Sequence, residues 1–251
     1  GPGGCQAAEV AAKRGHNIIL CEKANRLGGQ IAVSMYNGWK YLITYYENVL
    51  KHLGVDIRFG TTVTPEYVEQ LKPDAVVVAT GGTPVKMNVK GRDLPNVVTY
   101  FDVLSGKVKP GKRVVVIGWF CGAGETVEFL GDRDVTVVSS QPESAFLQDL
   151  EFTRRCVRML TLFNKRKPPL TMHYDATVKE ISPEGPLVAS GGKEQTISCD
   201  TVVMAVGIRS DRELADALKT KVPSLYVIGD CLMPRKLKDA VHEGFRVGNI
   251  V

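Results

Sequence analysis

The sequence predicts an α/β fold built from two strand–turn–helix units, each with glycines at its turn. Three observations carry this. Gly1-Pro2-Gly3-Gly4 opens an Ala-rich helical stretch, Cys5–Arg14, which Gly15 ends, and the apolar run Asn17–Cys21 follows as a strand. The pattern returns at Lys112–Gly118: an apolar strand, a turn carrying Gly118, Gly122 and Gly124, a helix to about Leu130 and a strand at Val135–Val138. The blocks Ala75–Ala79, Thr201–Ala205 and Leu225–Cys231 read as further buried strands, each with glycine beside it.

Composition narrows the functional classes. At 251 residues and 44% hydrophobic content, the chain suffices for one large domain or two ordinary ones. Its 32 basic and 27 acidic residues leave a mild +5. The two short basic clusters, 164–167 and 235–238, read as solvated surface, so no nucleic-acid partner is expected. No apolar run reaches the ~18 residues that suggest a membrane span. None of the 6 cysteines, at positions 5, 21, 121, 156, 199 and 231, is spaced as C-x2-C or C-x4-C. No redox disulfide, zinc site or iron–sulfur site is therefore expected, and several of these thiols read as small core residues. Free buried thiols fit a reducing cytoplasm, the expected location.

Glycines at a strand-to-helix turn let backbone approach a pyrophosphate closely, and the helix then aims its N-terminus at the phosphates. Glu22, closing the next strand, can accept both ribose hydroxyls of an adenosine. The first strand and first glycine of such a unit would precede Gly1, so the expectation is a piece trimmed at its front. Gly28-Gly29 permits a tight turn, and Arg26 before it pairs with phosphate, lies near the adenosine or is plain loop. Helical spacing over Trp39–Leu53 puts Leu42, Tyr45, Tyr46, Val49, Leu50 and Leu53 on one side. A strand at Val55–Phe59 and a helix begun by Thr64-Pro65-Glu66 follow. Thr80-Gly81-Gly82 marks backbone passing close to a ligand or another strand. Asn88–Asn96 has connector character and Tyr100–Leu104 is a short helix. Phe152–Phe163 is a helix with Arg154, Arg155 and Arg158 outward. Leu170–Tyr174 and Ala176–Ile181 are strands, and Leu187–Ala189 with Gln195–Ser198 is a hairpin about Gly191-Gly192. Lys236–Val251 is a terminal helix, on which His242 reads as structural.

The order of landmarks resembles the two-dinucleotide-binding-domain flavoproteins related to pyridine-nucleotide disulfide reductases. Those landmarks are Gly1–Gly4 with Glu22, Ala79–Gly82, the turn at Gly118, Ala205-Val206-Gly207 and Val227–Asp230. Three features resemble the C-terminal module of multidomain NADH:flavin oxidoreductases of the old-yellow-enzyme type, which include dienoyl-CoA reductase, enoate reductase and trimethylamine dehydrogenase. They are Glu22–Gln30, the ending Gly229-Asp230-Cys231 through Met233-Pro234-Arg235-Lys236 to Phe245, and the lack of a redox cysteine pair. The resemblance implies two Rossmann-like FAD/NAD(P)-binding domains, the second inserted in the first: 1–106 with 206–251, and 107–205. It implies an NAD(P)H-dependent flavin oxidoreductase fragment. Electrons would pass from NAD(P)H through FAD to an N-terminal FMN-barrel domain with a 4Fe-4S cluster, absent here, that reduces an enoate- or enone-like substrate. The alternative is a non-catalytic scaffold with ADP in place of FAD. Homo-oligomerisation of the full enzyme stays open, and no catalytic side chain stands out.

By the same resemblance Gly1, Gly3 and Gly4 face the FAD pyrophosphate, and Glu22 holds the adenosine ribose. Arg26 and Gln30 line the cofactor, Thr80 and Gly81 sit near it, and Asp230 meets the pyrophosphate–ribityl region. The helix from Lys236 aims its amides at the flavin ring. At the second turn Gly118, Gly122, Glu125 and, further on, Gly207 keep the pattern. Phe120 stands where pyrophosphate needs glycine, and Ser139-Ser140 ends the following strand without a carboxylate or a neighbouring Arg. NAD(P)H binding there is expected to be weak or absent.

Overall fold

The computed structural model describes residues 1–36, 38–119, 121–147 and 163–251. The expected helix at 152–163 lies outside them apart from Phe163, as does Phe120, and nothing is described of the Cys121 side chain. The chain divides into two compact units, Gly1–Thr83 with Ile208–Val251, and Pro84–Gly207, so the second is inserted in the first. The expected first boundary at 106/107 therefore differs from the observed 83/84. A strand just after the expected connector, Val97–Thr99, pairs with a strand of the second unit and so draws this stretch into it.

Unit 1 begins with helix α1, Pro2–Lys13, with Gly1 as its N-cap and Pro2 in the first turn, where its missing N–H costs nothing. The helix starts three residues earlier than the expected Cys5. Strand β1, Ile19–Cys21, pairs in parallel with β2, Asp56–Arg58. Between them lies α2, Gly38–His52, whose Tyr46 and Leu50 pack with Cys5, Ala8, Leu27 and Val55. Two further bonds join α2 to α1: the Tyr45 hydroxyl donates to Glu9 at 2.7 Å, and the Tyr46 hydroxyl to Gln6 at 3.1 Å. Buried Glu9 also pairs with Lys13, which offsets the cost of placing a carboxylate there. Helix α3, Pro65–Leu71, is capped by the Thr64 hydroxyl, which accepts from the Tyr67 N–H.

A second parallel pair in unit 1 joins β3, Val76–Val78, to Leu225–Val227. Unit 1 ends with the 12-residue helix Leu237–Gly248, which packs along α1. A Cβ at Gly3 would lie 3.1 Å from the Ala240 carbonyl oxygen, and one at Gly248 would lie 2.7 Å from Val10 Cβ. The two helices therefore run parallel and end their N-termini on the same side. The small residues Ala240, Gly244 and Gly248, four apart, share one helix face and permit this approach.

After β4, Gly82–Pro84, which lies mostly in unit 1, unit 2 contains β5, Val97–Thr99, and α4, Tyr100–Leu104, begun by a Thr99/Asp102 capping box. There follow β6, Arg113–Ile117, α5, Cys121–Phe129, β7, Asp134–Val138, and β8, Thr171–His173. Next come β9, Thr177–Ser182, β10, Gly185–Ser190, β11, Lys193–Thr196, and β12, Thr201–Met204. Strands β5, β12, β6, β7 and β8 form a parallel sheet in that order. Strands β9, β10 and β11 form an antiparallel meander. The inner strand β12 is buried at every position, as a mainly apolar strand of a parallel sheet covered on both faces is. Back in unit 1 the remaining elements are β13, Ile208–Ser210, α6, Glu213–Leu218, β14, Leu225–Val227, and α7, Leu237–Gly248. Neither α6 nor β13 was anticipated, because both are too short to show a period. No helix among the described residues is long and apolar enough to cross a membrane.

Candidate functional site

In unit 1 the strand ends and helix N-termini meet. Glu22 follows β1, and its Oε2 lies 3.6 Å from the Gly1 nitrogen at the start of α1. Its other oxygen accepts the Ala24 N–H at 2.9 Å, which holds the carboxylate toward the helix. The α1 N-terminus has neither a side-chain cap nor an acidic residue in its first turn, so its positive end stays uncompensated by the helix itself. Gly28-Gly29 folds back onto Gly1: a Cβ on Gly29, whose φ is +52°, would lie 3.1 Å from Gly1 Cα. Only glycine allows that approach in that conformation.

Gly3 and Gly4 are used differently from Gly1. Both are buried, and a Cβ on Gly4 would lie 3.2 Å from Ala79 Cβ at the end of β3. Gly3 packs on Ala240 of α7. These two glycines bring a strand and a helix against α1, and what either can offer a ligand is its backbone N–H.

From the Gly28-Gly29 turn, the Gln30 amide donates to Asp230 Oδ2 at 3.1 Å, and the Arg235 N–H donates to Asp230 Oδ1 at 3.2 Å. Burial pushes the Asp230 carboxyl above the usual range, against the pull of those two donors. A carboxylate accepts about four hydrogen bonds, so Asp230 keeps capacity for hydroxyl donors. Gly1, Glu22, Gly29, Gln30 and Asp230 thus share one end of unit 1. Arg26 is exposed and donates to the Ala32 carbonyl at 2.8 Å. The Thr80 hydroxyl donates to the Asp211 carbonyl at 2.7 Å, while Gly81, at φ +80°, has open space on its Cβ side. Gly229, at φ +64°, turns the chain into Asp230 and donates its N–H to Glu243 at 2.7 Å. The donor set suits a nucleotide: a bare helix N-terminus for phosphate and two carboxylates for hydroxyls.

Unit 2 carries the second glycine-bearing turn, after β6. Gly118 follows β6 at φ +122°, and a Cβ there would lie 2.2 Å from the Ala205 carbonyl oxygen, so this turn needs glycine for packing. Gly122 lies under the Tyr100 ring, with a Cβ position 3.0 Å from it. Glu125 and Ala123 are buried. Trp119 is buried edge-on to Tyr174, ring centroids 5.8 Å apart. At the end of β7 the Ser139 hydroxyl accepts the Gln141 N–H at 3.0 Å and donates to the Gln141 carbonyl, occupied by its own turn. Gly207, at φ +121°, accepts the Val85 N–H. Among the described residues, the end of β7 thus carries serines at 139 and 140 where the end of β1 is followed by the Glu22 carboxylate.

Sequence reasoning gave no separate role to Arg235, Glu243 or the α1–α7 glycine seam. The four-residue spacing of Ala240, Gly244 and Gly248 was the available signal for the seam. The four described cysteines, Cys5, Cys21, Cys199 and Cys231, are free thiols. No group of three or more metal-ligating side chains occurs among the described residues.

Two α/β units, each with a helix that starts at a glycine-bearing turn, define the class: a protein of two Rossmann-like domains, one inserted in the other. The chain belongs to the pyridine nucleotide-disulphide oxidoreductase family, whose model matches residues 1–244. A protein from Thermoanaerobacter brockii called NADH oxidase is 36% identical over 98% of this chain and 39% of its own length. A metal reductase from Desulforamulus reducens is 31% identical over 98% of this chain and 42% of its own. The solved 2-naphthoyl-CoA reductase complex superposes with a TM-score of 0.92 at 33% identity, covering 100% of this chain and 38% of that one. The chain thus spans about 40% of the relatives it matches. The resemblance read from the landmarks, to modules of multidomain reductases and dehydrogenases, is borne out.

Proposed function

We propose that unit 1 binds FAD and that the chain is the electron-input module of a larger flavoenzyme. In this reading it carries reducing equivalents from NAD(P)H to a partner domain with FMN and a 4Fe-4S cluster, which reduces a small enoate- or enone-like substrate. The observation that carries the reading is the Glu22 carboxylate held beside an uncapped α1 N-terminus, in a chain matched by the family model over nearly its whole length. When bound, FAD supplies hydride acceptance and stepwise electron donation.

The protein's own residues bind and orient. The first-turn N–H groups of α1 receive the pyrophosphate, Glu22 accepts the adenosine ribose hydroxyls, and Gln30 and Asp230 line the ribityl side. Arg26, Thr80 and Gly81 border the same region. The N-terminus of α7 offers a second positive dipole end, which favours electron-rich ring atoms. Gly118, Gly122, Glu125 and Gly207 would form whatever nicotinamide site unit 2 offers.

A second reading is favoured by the Ser139 hydroxyl, tied into its own turn where a ribose-binding carboxylate would stand. In it, unit 1 holds ADP as a structural nucleotide and no nicotinamide is oxidised. Purification and denaturing release of the bound nucleotide separates the two. Flavin colour that bleaches with NADH or NADPH supports the first. A colourless protein that releases ADP supports the second. A chain that takes up neither FAD nor ADP when they are added overturns both.

A further inference from the structure

We propose that Arg235 and Glu243 are positioning residues of the unit 1 cofactor site, their ion pair closing a ring of bonds that aims the Asp230 carboxylate. The proposal rests on the reading of unit 1 as a flavin-nucleotide site. The ring is short. The Gly229 N–H donates to Glu243 Oε2 at 2.7 Å, the other Glu243 oxygen receives the Arg235 guanidinium, and the Arg235 N–H donates to Asp230 Oδ1 at 3.2 Å. Asp230 follows Gly229 directly, so the chain itself completes the circuit. Arg235 Nε also reaches the Met233 carbonyl at 3.4 Å, within the same loop.

Gly229 sits at φ +64°, and its bond to Glu243 secures that left-handed residue just before Asp230. An ion pair between two exposed, flexible side chains contributes little. This pair differs because Glu243, itself half-buried, spends its second oxygen on the Gly229 backbone, which fixes the carboxylate that Arg235 meets. Glu243 lies on α7, on the turn after Asp239, whose carboxylate accepts the Lys236 N–H at 3.0 Å. The ring thereby ties the turn that presents Asp230 to the helix whose N-terminus faces the same side. Removal of either partner frees the 229–235 loop and lets the Asp230 carboxylate swing.

The test is FAD titration of the 251-residue protein and its Arg235→Ala, Glu243→Gln and Arg235→Lys variants. Flavin fluorescence, the visible circular dichroism of bound flavin, and the melting temperature of the ligand-free protein are read together. Loss of a charge-assisted bond predicts a Kd raised about tenfold or more in Arg235→Ala and Glu243→Gln, with altered dichroism. Arg235→Lys, which keeps the charge, recovers most of both. If Arg235→Ala does not fold, Glu243→Gln decides. Variants that bind FAD as the unaltered protein does, with unchanged dichroism, overturn the positioning role and leave the cofactor reading standing. An unaltered protein that takes up no FAD overturns the cofactor reading, and this proposal falls with it.

Discussion

Gly244 of α7 meets Gly3 of α1 backbone to backbone: a Cβ on Gly244 would lie 2.2 Å from the Gly3 carbonyl oxygen. That contact is backbone against backbone, so no flexible side chain can yield. Gly244→Ala is expected to force the two helices apart and destabilise the protein by about 1–3 kcal/mol, the usual cost of overpacking. Chemical denaturation checks it, and an unchanged midpoint would refute the seam. The same displacement would move the two helix N-termini apart, so FAD affinity should fall as well.

Glu22 and the Gly1 nitrogen frame the proposed adenosine end of the site. Glu22→Gln keeps the shape and removes the charge that makes the carboxylate a strong acceptor. About a tenfold loss of affinity for FAD, and equally for ADP, is expected from one weakened charge-assisted bond pair. Isothermal titration with both ligands is the check. A loss confined to FAD would place Glu22 at the flavin end instead.

Asp230 separates stability from binding. Its folded pKa is raised, chiefly by burial, so the folded state holds the proton more tightly than the unfolded state does. Ionisation at neutral pH therefore works against folding, and this cost disappears as pH falls below the ordinary carboxylate range. Asp230→Asn should raise the melting temperature of the ligand-free protein at neutral pH while weakening FAD binding. A melting temperature that falls at neutral pH would show that the Gln30 and Arg235 bonds outweigh desolvation.

Asp200 has the opposite sign. It accepts the N–H groups of Lys112 and Arg113 at 3.0 and 2.9 Å and the Arg113 guanidinium at 2.7 Å. The Arg113 backbone bond, then its side chain, hold this carboxyl below the usual range. A depressed folded pKa gives stability that is fully present above the unfolded value, about 3.9, and is lost as pH falls through the folded one. Melting curves between neutral pH and pH about 3 should therefore drop less steeply for Asp200→Asn than for the unaltered protein. Parallel curves would exclude Asp200 as a contributor to acid unfolding.

Much of this was legible in particular residues. The turn at Gly1, the strand before Glu22 and the repeat at Gly118 depend on local patterns, and local patterns are written in sequence. Helix α4 stands at its expected bounds, Tyr100–Leu104, and a Thr99/Asp102 capping box fixes its start. Strand β5, between the connector and α4, showed no signal of its own, because three residues carry no period and its partner β12 lies over a hundred positions along the chain. The boundary between the units moved with it.

By itself the sequence determined the class of fold, the two glycine turns and the pairing of Glu22 with the first of them. Only the tertiary structure decided which glycines are open and which are packed. Gly1 stands at an uncapped helix end, whereas Gly3 and Gly244 are pressed against other backbone and Gly4 against the Ala79 side chain. It also decided that Gln30 and Asp230, 200 positions apart, share a hydrogen bond, and that Arg235 and Glu243 close a ring behind it. The physical reason is that glycine reads the same in sequence whether it leaves room for a ligand or for a neighbouring helix. The partner that fills the space is supplied by chain far away.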